Sequence, residues 1–166
     1  MVPVVTAEEM RSAVMDRLAE ATIVVMAAAV SDYRVVRAAA QKLKREGART
    51  LELEPTEDIL REVAKQRMPG TLAIGFAAET ENALANGRNK LERKGVDAIV
   101  VNDVSSCEMG FDSDRNAGAF VTHDVLVEIP AMTKNAMAGR ILDEVVRMRV
   151  GATTNSHGKR GLSASV

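Results

Sequence analysis

Apolar side chains recur at four-residue spacing at Met10, Val14 and Leu18, which places them on one stripe of a helix. Thr6-Ala7-Glu8-Glu9 stands just ahead of that stripe. It reads as a capping box, in which the Thr6 hydroxyl accepts from the Glu9 amide and the Glu9 carboxylate accepts from the Thr6 amide. Met1–Val5 is apolar and reads as a short strand. The period then changes. Ile23–Val30 is apolar without interruption, the pattern of a strand buried on both faces of a parallel sheet. Thr50-Leu51-Glu52-Leu53-Glu54 alternates, as a half-exposed strand does.

Pro55 and Thr56 then open a helix, with Glu57 and Asp58 in its first turn, where the helix dipole favours anions. Ile59, Leu60 and Val63 form its apolar face. Pro69-Gly70 marks a turn, Thr71–Ile74 a strand, and Gly75-Phe76-Ala77-Ala78-Glu79-Thr80 a loop into a further helix from about Glu81 to Lys94. Gly95 falls where that helix needs a left-handed residue. Ala98–Val101 is another buried strand, ending at Asn102-Asp103. A polar loop, Gly110–Asn116, leads to Ala119–Ile129, interrupted at His123-Asp124, which reads as an antiparallel hairpin. A last helix starts at Thr133 or Asn135 and carries Met137, Ile141, Val145 and Met148 on one face. Gly151–Val166 has no periodicity and is expected to form a disordered tail, leaving residues 1–150 as the domain.

Strands alternating with helices imply an α/β fold: a Rossmann-like, mostly parallel sheet flanked by helices, with an antiparallel hairpin near the C-terminus. Such a sheet normally begins with a strand, a Gly-rich turn and a helix. Here the first strand-turn-helix unit is missing, and the pattern starts at what looks like a third strand.

Composition narrows the function. The 166 residues, 46% hydrophobic and 27% charged, suit one globular domain. With only 2% aromatic residues the core must be aliphatic, with the nine methionines as packing residues. A net charge of −1 without a basic stripe argues against nucleic acid as the main partner. The single cysteine, Cys107, excludes an internal disulfide and fits a reducing cytoplasm. It lies in a polar loop without a nearby histidine, which argues against a catalytic thiol. No apolar run approaches the roughly 20 residues that span a bilayer, and no secretory signal pattern opens the chain. A cytoplasmic protein without a membrane partner is expected.

Ligands of open α/β sheets bind at the carboxyl ends of the strands. Three such ends carry polar groups: Asp32 with Arg34, the Gly75–Thr80 loop, and Asn102-Asp103. Together they suit a nucleotide ribose and base; equally, Asp32 and Asp103 simply cap loops. Gly75 lets backbone approach closely. Phe76, one of three phenylalanines, either caps the core or stands at the mouth of a crevice. Lys90 and Lys94, four apart, share a helix face; they suit phosphate, or belong to a solvated face with Glu92 and Arg93. Lys42-Leu43-Lys44-Arg45 is either a charged edge that resists strand pairing or a flap that closes over a phosphate. Asp112 and Asp114 do not complete a calcium loop, because no glutamate follows at the required spacing. His123 and His157 lack metal-ligand spacing. No nucleophile elbow or P-loop is present. The missing Gly-x-Gly-x-x-Gly turn speaks against a dinucleotide oxidoreductase.

An ordered set of segments resembles the synthetase domain of the bacterial coenzyme A biosynthesis flavoprotein, phosphopantothenate–cysteine ligase. The set comprises Ala28-Ala29-Val30-Ser31-Asp32-Tyr33-Arg34, Lys42-Leu43-Lys44-Arg45, Thr56-Glu57-Asp58-Ile59, Gly75–Thr80, Lys90–Gly95 with Asp97, Val101-Asn102-Asp103-Val104, and Phe111–Asn116. The resemblance runs from about Thr6 to Met148. It implies a dimeric ligase in which CTP, with Mg2+, activates the carboxylate of 4′-phosphopantothenate as an acyl-cytidylate. Cysteine then displaces CMP to form the amide. It also implies nucleotide contacts at Met26, Ala27 and Ala28, at Asp32 and Lys42, at Glu57, Asp58, Ile59 and Leu60, and at Phe76, Lys90 and Lys94. Lys42 is the implied catalytic flap lysine; metal ligands are not implied. The chain departs from the family in having Thr56-Glu57 where Asn-Pro is usual. The Gly-rich first unit, the asparagine-containing segment after it, and the decarboxylase domain often fused upstream have no counterpart. The chain is therefore expected to be N-terminally incomplete and weakly active or inactive alone, with a non-catalytic nucleotide-binding or dimerisation fragment as the alternative.

Overall fold

A computed structural model describes residues 1–45, 47–79, 83–103 and 114–158. Thr80, Glu81, Val104, Cys107, Phe111, Asp112 and residues 159–166 lie outside the described residues. The chain order is α1 (Ala7–Leu18), β1 (Ile23–Met26), β2 (Tyr33–Val35), β3 (Leu53–Pro55), α2 (Ile59–Gln66), β4 (Leu72–Glu79), α3 (Ala83–Lys94), β5 (Ala98–Asp103), β6 (Arg115–Val121), β7 (Leu126–Thr133) and α4 (Lys134–Gly158).

A five-stranded sheet has the order β1-β4-β5-β6-β7. β1 pairs parallel with β4 and β4 parallel with β5, while β6 runs antiparallel to both β5 and β7. Four strands thus point one way and β6 alone the other, which is the mostly parallel α/β sheet expected. β2 and β3 form a separate antiparallel ribbon.

Alternation along β5 divides the core. Ile99 and Val101 face a cluster with Leu18, Ile59, Val63 and Leu91 from α1, α2 and α3. Ala98 and Val100 face Phe120, Ile129, Met137, Ile141 and Val145 under α4. Burying this aliphatic surface on both faces is the main stabilising term of the fold.

Local signals set several boundaries. The Thr6 capping box forms as expected: Glu9 N donates to Thr6 Oγ1 at 3.1 Å, and Thr6 N donates to Glu9 Oε2 at 3.0 Å. Gly95 ends α3 at φ 69°, a conformation that costs a residue with a Cβ about 1 kcal/mol or more. Arg11 reaches from α1 to Glu62 on α2, Nε to Oε2 at 2.6 Å and Nη2 to Oε1 at 2.5 Å. At the amino ends of β4 and β5, Asp97 accepts from the Ala73 amide at 2.7 Å and from Arg67 Nη2 at 3.1 Å.

Other expectations change. Met1–Val5 forms no strand; Val5 N donates to Glu9 Oε2 at 2.7 Å and extends the cap of α1. β1 stops at Met26, and Ile23 and Val25 are 37% and 41% exposed rather than buried on both faces. Val24 and Met26 pack on the α1–α3 side, so Ile23 and Val25 lie on the opposite face, where α4 packs on β6 and β7. The half-exposed strand expected at Thr50–Glu54 is the shorter β3, in the ribbon rather than the sheet. α2 starts at Ile59 with Asp58 as its N-cap, so Pro55 closes β3 instead of opening the helix. Gly75–Glu79 is strand, not loop, because β4 stays in register with β5 from Ile74–Ala98 to Glu79–Asp103. α4 continues to Gly158, into the segment expected to be disordered. With no proline after Lys134, each further residue adds one backbone hydrogen bond to a helix already nucleated.

Candidate functional site

β1 and β4 end their pairing at Met26–Gly75, and the two chains part there. After Met26 the chain turns away, with Val30 N donating to Ala28 O at 3.1 Å. Residues 31–33 are then tied to the strand that returns: Thr56 N donates to Asp32 O at 2.9 Å, and the Thr56 hydroxyl donates to Ser31 O. Ser31 Oγ donates to Tyr33 O at 2.8 Å. This stitching roots the β2–β3 ribbon beside the carboxyl end of β1. The chain then enters α2, whose first turn faces α3.

An open cavity of about 510 Å³ lies between these parts, within the size range of small-molecule sites. Met26, Ala28 and Asp32 line it from the β1 side; Glu57, Asp58, Ile59 and Leu60 from the start of α2; Phe76 from β4; and Lys90 and Lys94 from α3. Phe76 is half-buried and also packs against the α4-side core, so both sequence readings of it hold. The close approach at Gly75 is to protein. A Cβ there would sit 2.4 Å from Leu60 Cδ2 and 2.9 Å from Ile99 Cδ1, so the glycine lets α2 settle on the sheet.

Ala27 and Lys42 do not line the cavity. Ala27 is exposed between the two lining residues Met26 and Ala28. Lys42 is exposed on the long connection from β2 to β3. Asn102 stands on β5 opposite Gly118 and outside the cavity wall; its Oδ1 is buried with no hydrogen-bond partner among the described residues. Among residues the sequence reading did not select, Val30, Tyr33, Thr56 and Arg93 also line the cavity. The signal for Arg93 was its spacing, three residues from Lys90 on the same helix face.

The lining carries charge of both signs. Asp58 makes two contacts: it caps α2 by accepting from Arg61 N at 3.1 Å, and it accepts from Lys94 Nζ at 2.5 Å. Burial pushes the Asp58 carboxyl up, but the Lys94 and Arg61 hydrogen bonds and charges outweigh it and hold its pKa below the usual carboxylate value. The Asp58 carboxyl is therefore ionised at neutral pH. Among the described residues no group of three His, Cys, Asp or Glu side chains gathers to hold a metal ion, and no helix is long and apolar enough to cross a membrane.

A profile of the DNA/pantothenate metabolism flavoprotein C-terminal domain matches residues 1–148. The chain belongs to this family. A flavoprotein-family relative in Thermococcus kodakarensis, the coenzyme A biosynthesis bifunctional protein CoaBC, is 38% identical over 153 residues, covering 89% of this chain and 37% of that protein. The crystal structure of the C-terminal domain of a CoaBC protein superposes with a TM-score of 0.71 at 31% identity, covering 89% of this chain and 64% of that one. A Cab2 mutant in complex with phosphopantothenate-cysteine shares the fold, with a TM-score of 0.70 at 17% identity over 94% of this chain and 54% of that one. The chain thus spans less than two thirds of each of these proteins. Membership of the flavoprotein C-terminal family agrees with the α/β sheet.

Proposed function

We propose that this chain carries the nucleotide site of a phosphopantothenate–cysteine ligase domain in coenzyme A biosynthesis. The observation that carries this reading is the convergence of Met26, Asp32, Asp58, Phe76, Lys90 and Lys94 on one cavity at the carboxyl end of β1, beside the middle of β4. They come from separate segments that the family resemblance assigns to nucleotide. The relatives' part in coenzyme A biosynthesis supports the pathway. The complex of a fold neighbour with phosphopantothenate-cysteine supports the product.

In the proposed reaction a carboxylate oxygen of 4′-phosphopantothenate attacks the α-phosphorus of CTP. The acyl-cytidylate forms and pyrophosphate leaves. The cysteine amine then attacks the acyl carbon, loses a proton, and CMP leaves as the amide forms. The residues of this chain act mainly by binding and charge compensation. Lys90 and Lys94 offset phosphate charge, which is the principal protein contribution in phosphoryl chemistry. Asp32, Glu57 and Asp58 line the cavity as separate carboxylates, and these residues, together with phosphate oxygens and water, would hold Mg2+. Bound there, Mg2+ would neutralise triphosphate charge. Lys42, exposed and outside the cavity wall, is proposed from the family resemblance as the flap residue that acts on the acyl-nucleotide.

Two measurements test this. Calorimetric titration with CTP should show binding, and a coupled pyrophosphate-release assay with phosphopantothenate, CTP and cysteine reads turnover. Lys42→Ala should leave the fold intact and slow ligation wherever turnover is measurable; unchanged kinetics would remove Lys42 from the mechanism. Absence of CTP binding by the folded chain would remove the nucleotide assignment. Binding without turnover would favour the alternative, a nucleotide-binding or dimerisation module. The ribbon supports a homodimer: Tyr33, Val35 and Leu53 are 59%, 39% and 54% exposed, an apolar surface of the kind that partners cover. Light scattering that gives a monomer mass at high concentration would refute the dimer.

A further inference from the structure

Lys90, Arg93 and Lys94 stand at i, i+3 and i+4 on α3 and all line the cavity. They are not equivalent. Lys94 is already committed: its ammonium is 2.5 Å from Asp58 Oδ2, its side chain only 18% exposed. Asp58 is in turn fixed by the α2 amide of Arg61, so the ion pair is anchored at both ends. Lys90 also has a partner. Arg93 is exposed and makes no hydrogen bond or ion pair among the described residues. An anion entering the cavity can engage Arg93 without breaking any existing contact, whereas engaging Lys94 draws it from Asp58. The guanidinium also offers a planar fork that matches two phosphate oxygens, which an ammonium cannot.

We propose that Arg93 is the polyphosphate contact of this cavity, with Lys94 held by Asp58 as a second, positioned charge. The proposal deepens the nucleotide reading and rests on it. Arg93 falls within a charged segment whose bland reading is a solvated helix end, where the dipole favours cations. That reading accounts for its charge but gives no reason for the only unpaired cation of the described cavity wall to stand beside a pair already closed.

The test is calorimetric titration of the full chain with CTP and, separately, with inorganic triphosphate, at low and raised salt. The variants are Arg93→Gln, Arg93→Lys and Lys94→Gln. A charge-assisted hydrogen bond lost from an exposed site corresponds to a drop in affinity of roughly tenfold. Arg93→Gln should weaken both ligands by about that factor and reduce the salt sensitivity of binding. Arg93→Lys should restore only part of the affinity. Because Arg93 has no partner to lose, Arg93→Gln should unfold in urea at the wild-type midpoint. CTP binding by Arg93→Gln at wild-type affinity would overturn the proposal, as would loss of CTP binding with triphosphate binding retained. Wild-type binding of triphosphate with no preference for CTP would defeat the nucleotide reading alone and leave Arg93 to be judged on its variants. A wild-type chain that binds neither ligand defeats both.

Discussion

Gly118 lies where β6 crosses closest to β5. A Cβ built on it would stand 1.9 Å from the carbonyl oxygen of Val101, 3.0 Å from its carbonyl carbon and 3.2 Å from Asn102 Cα. All three atoms are backbone, so no rotamer change relieves the clash. Asn102 is the register partner of Gly118, and the β6–β7 pairing is irregular between Asn116 and Gly118. Gly118→Ala must therefore push the strands apart. Overpacking of about 1–3 kcal/mol, with one or two ladder hydrogen bonds weakened at about 1 kcal/mol each, gives a loss of about 2–5 kcal/mol. With a urea slope of roughly 2 kcal/mol/M, the unfolding midpoint should fall by about 1–2.5 M.

Two further glycines calibrate that figure. Gly75→Ala meets only the tips of flexible side chains, Leu60 Cδ2 and Ile99 Cδ1, and should cost about 1–3 kcal/mol. Gly139 is inside α4 with nothing within 4 Å of a built Cβ, so Gly139→Ala should gain about 0.5–1 kcal/mol from helix propensity. Urea unfolding followed by far-UV circular dichroism ranks the three. The reasoning fails if Gly118→Ala unfolds at the wild-type midpoint, or if Gly75→Ala proves the more damaging of the pair.

Acid should unfold the chain partly through Glu62 and Asp58. The hydrogen bond from Arg11 holds the Glu62 carboxyl below its usual value, and Asp58 is lowered on balance against the opposing effect of burial. Folded values below the unfolded ones mean stability that is complete above the unfolded pKa values, near pH 4. It is lost as pH falls through the lower folded values. Urea midpoints should thus drop below about pH 5, and Glu62→Gln should flatten the drop; an unchanged pH slope in that variant would contradict the assignment. Asp58→Asn keeps a good helix cap and loses the charge partner of Lys94, whereas Asp58→Ala loses both. Thermal unfolding should place the alanine variant lower by about 1 kcal/mol, and equal melting temperatures would show that Asp58 does not cap α2 in solution.

What could be read from the chain was mostly local. The capping box at Thr6, the left-handed Gly95 and the hairpin broken at His123-Asp124 each depend on a few neighbouring residues, and each formed. Strand limits did not follow the same logic. Ile23–Val30 is apolar throughout, yet β1 stops at Met26 because its pairing with β4 stops there. Gly75 and the residues after it read as a loop, yet β5 offers them a parallel partner as far as Asp103. Pairing with a distant segment outweighs local preference, since every buried backbone amide and carbonyl must find a partner.

The cavity shows the same division. Ordered segments pointed to most of its wall, because strand ends and helix starts are placed by topology. The charge arrangement inside it was invisible, since it depends on contact between Asp58 and Lys94, 36 residues apart. From spacing alone Lys94 is either a phosphate ligand or part of a solvated face with Glu92 and Arg93. In three dimensions it is held by Asp58. A carboxylate among the cations of an anion site costs affinity unless its charge is used, and here it is used twice, on the first turn of α2 and on Lys94. The helix cap thus fixes the carboxylate and the carboxylate fixes the ammonium. A local folding signal, the aspartate ahead of α2, thereby decides which cation of α3 is left to meet a ligand.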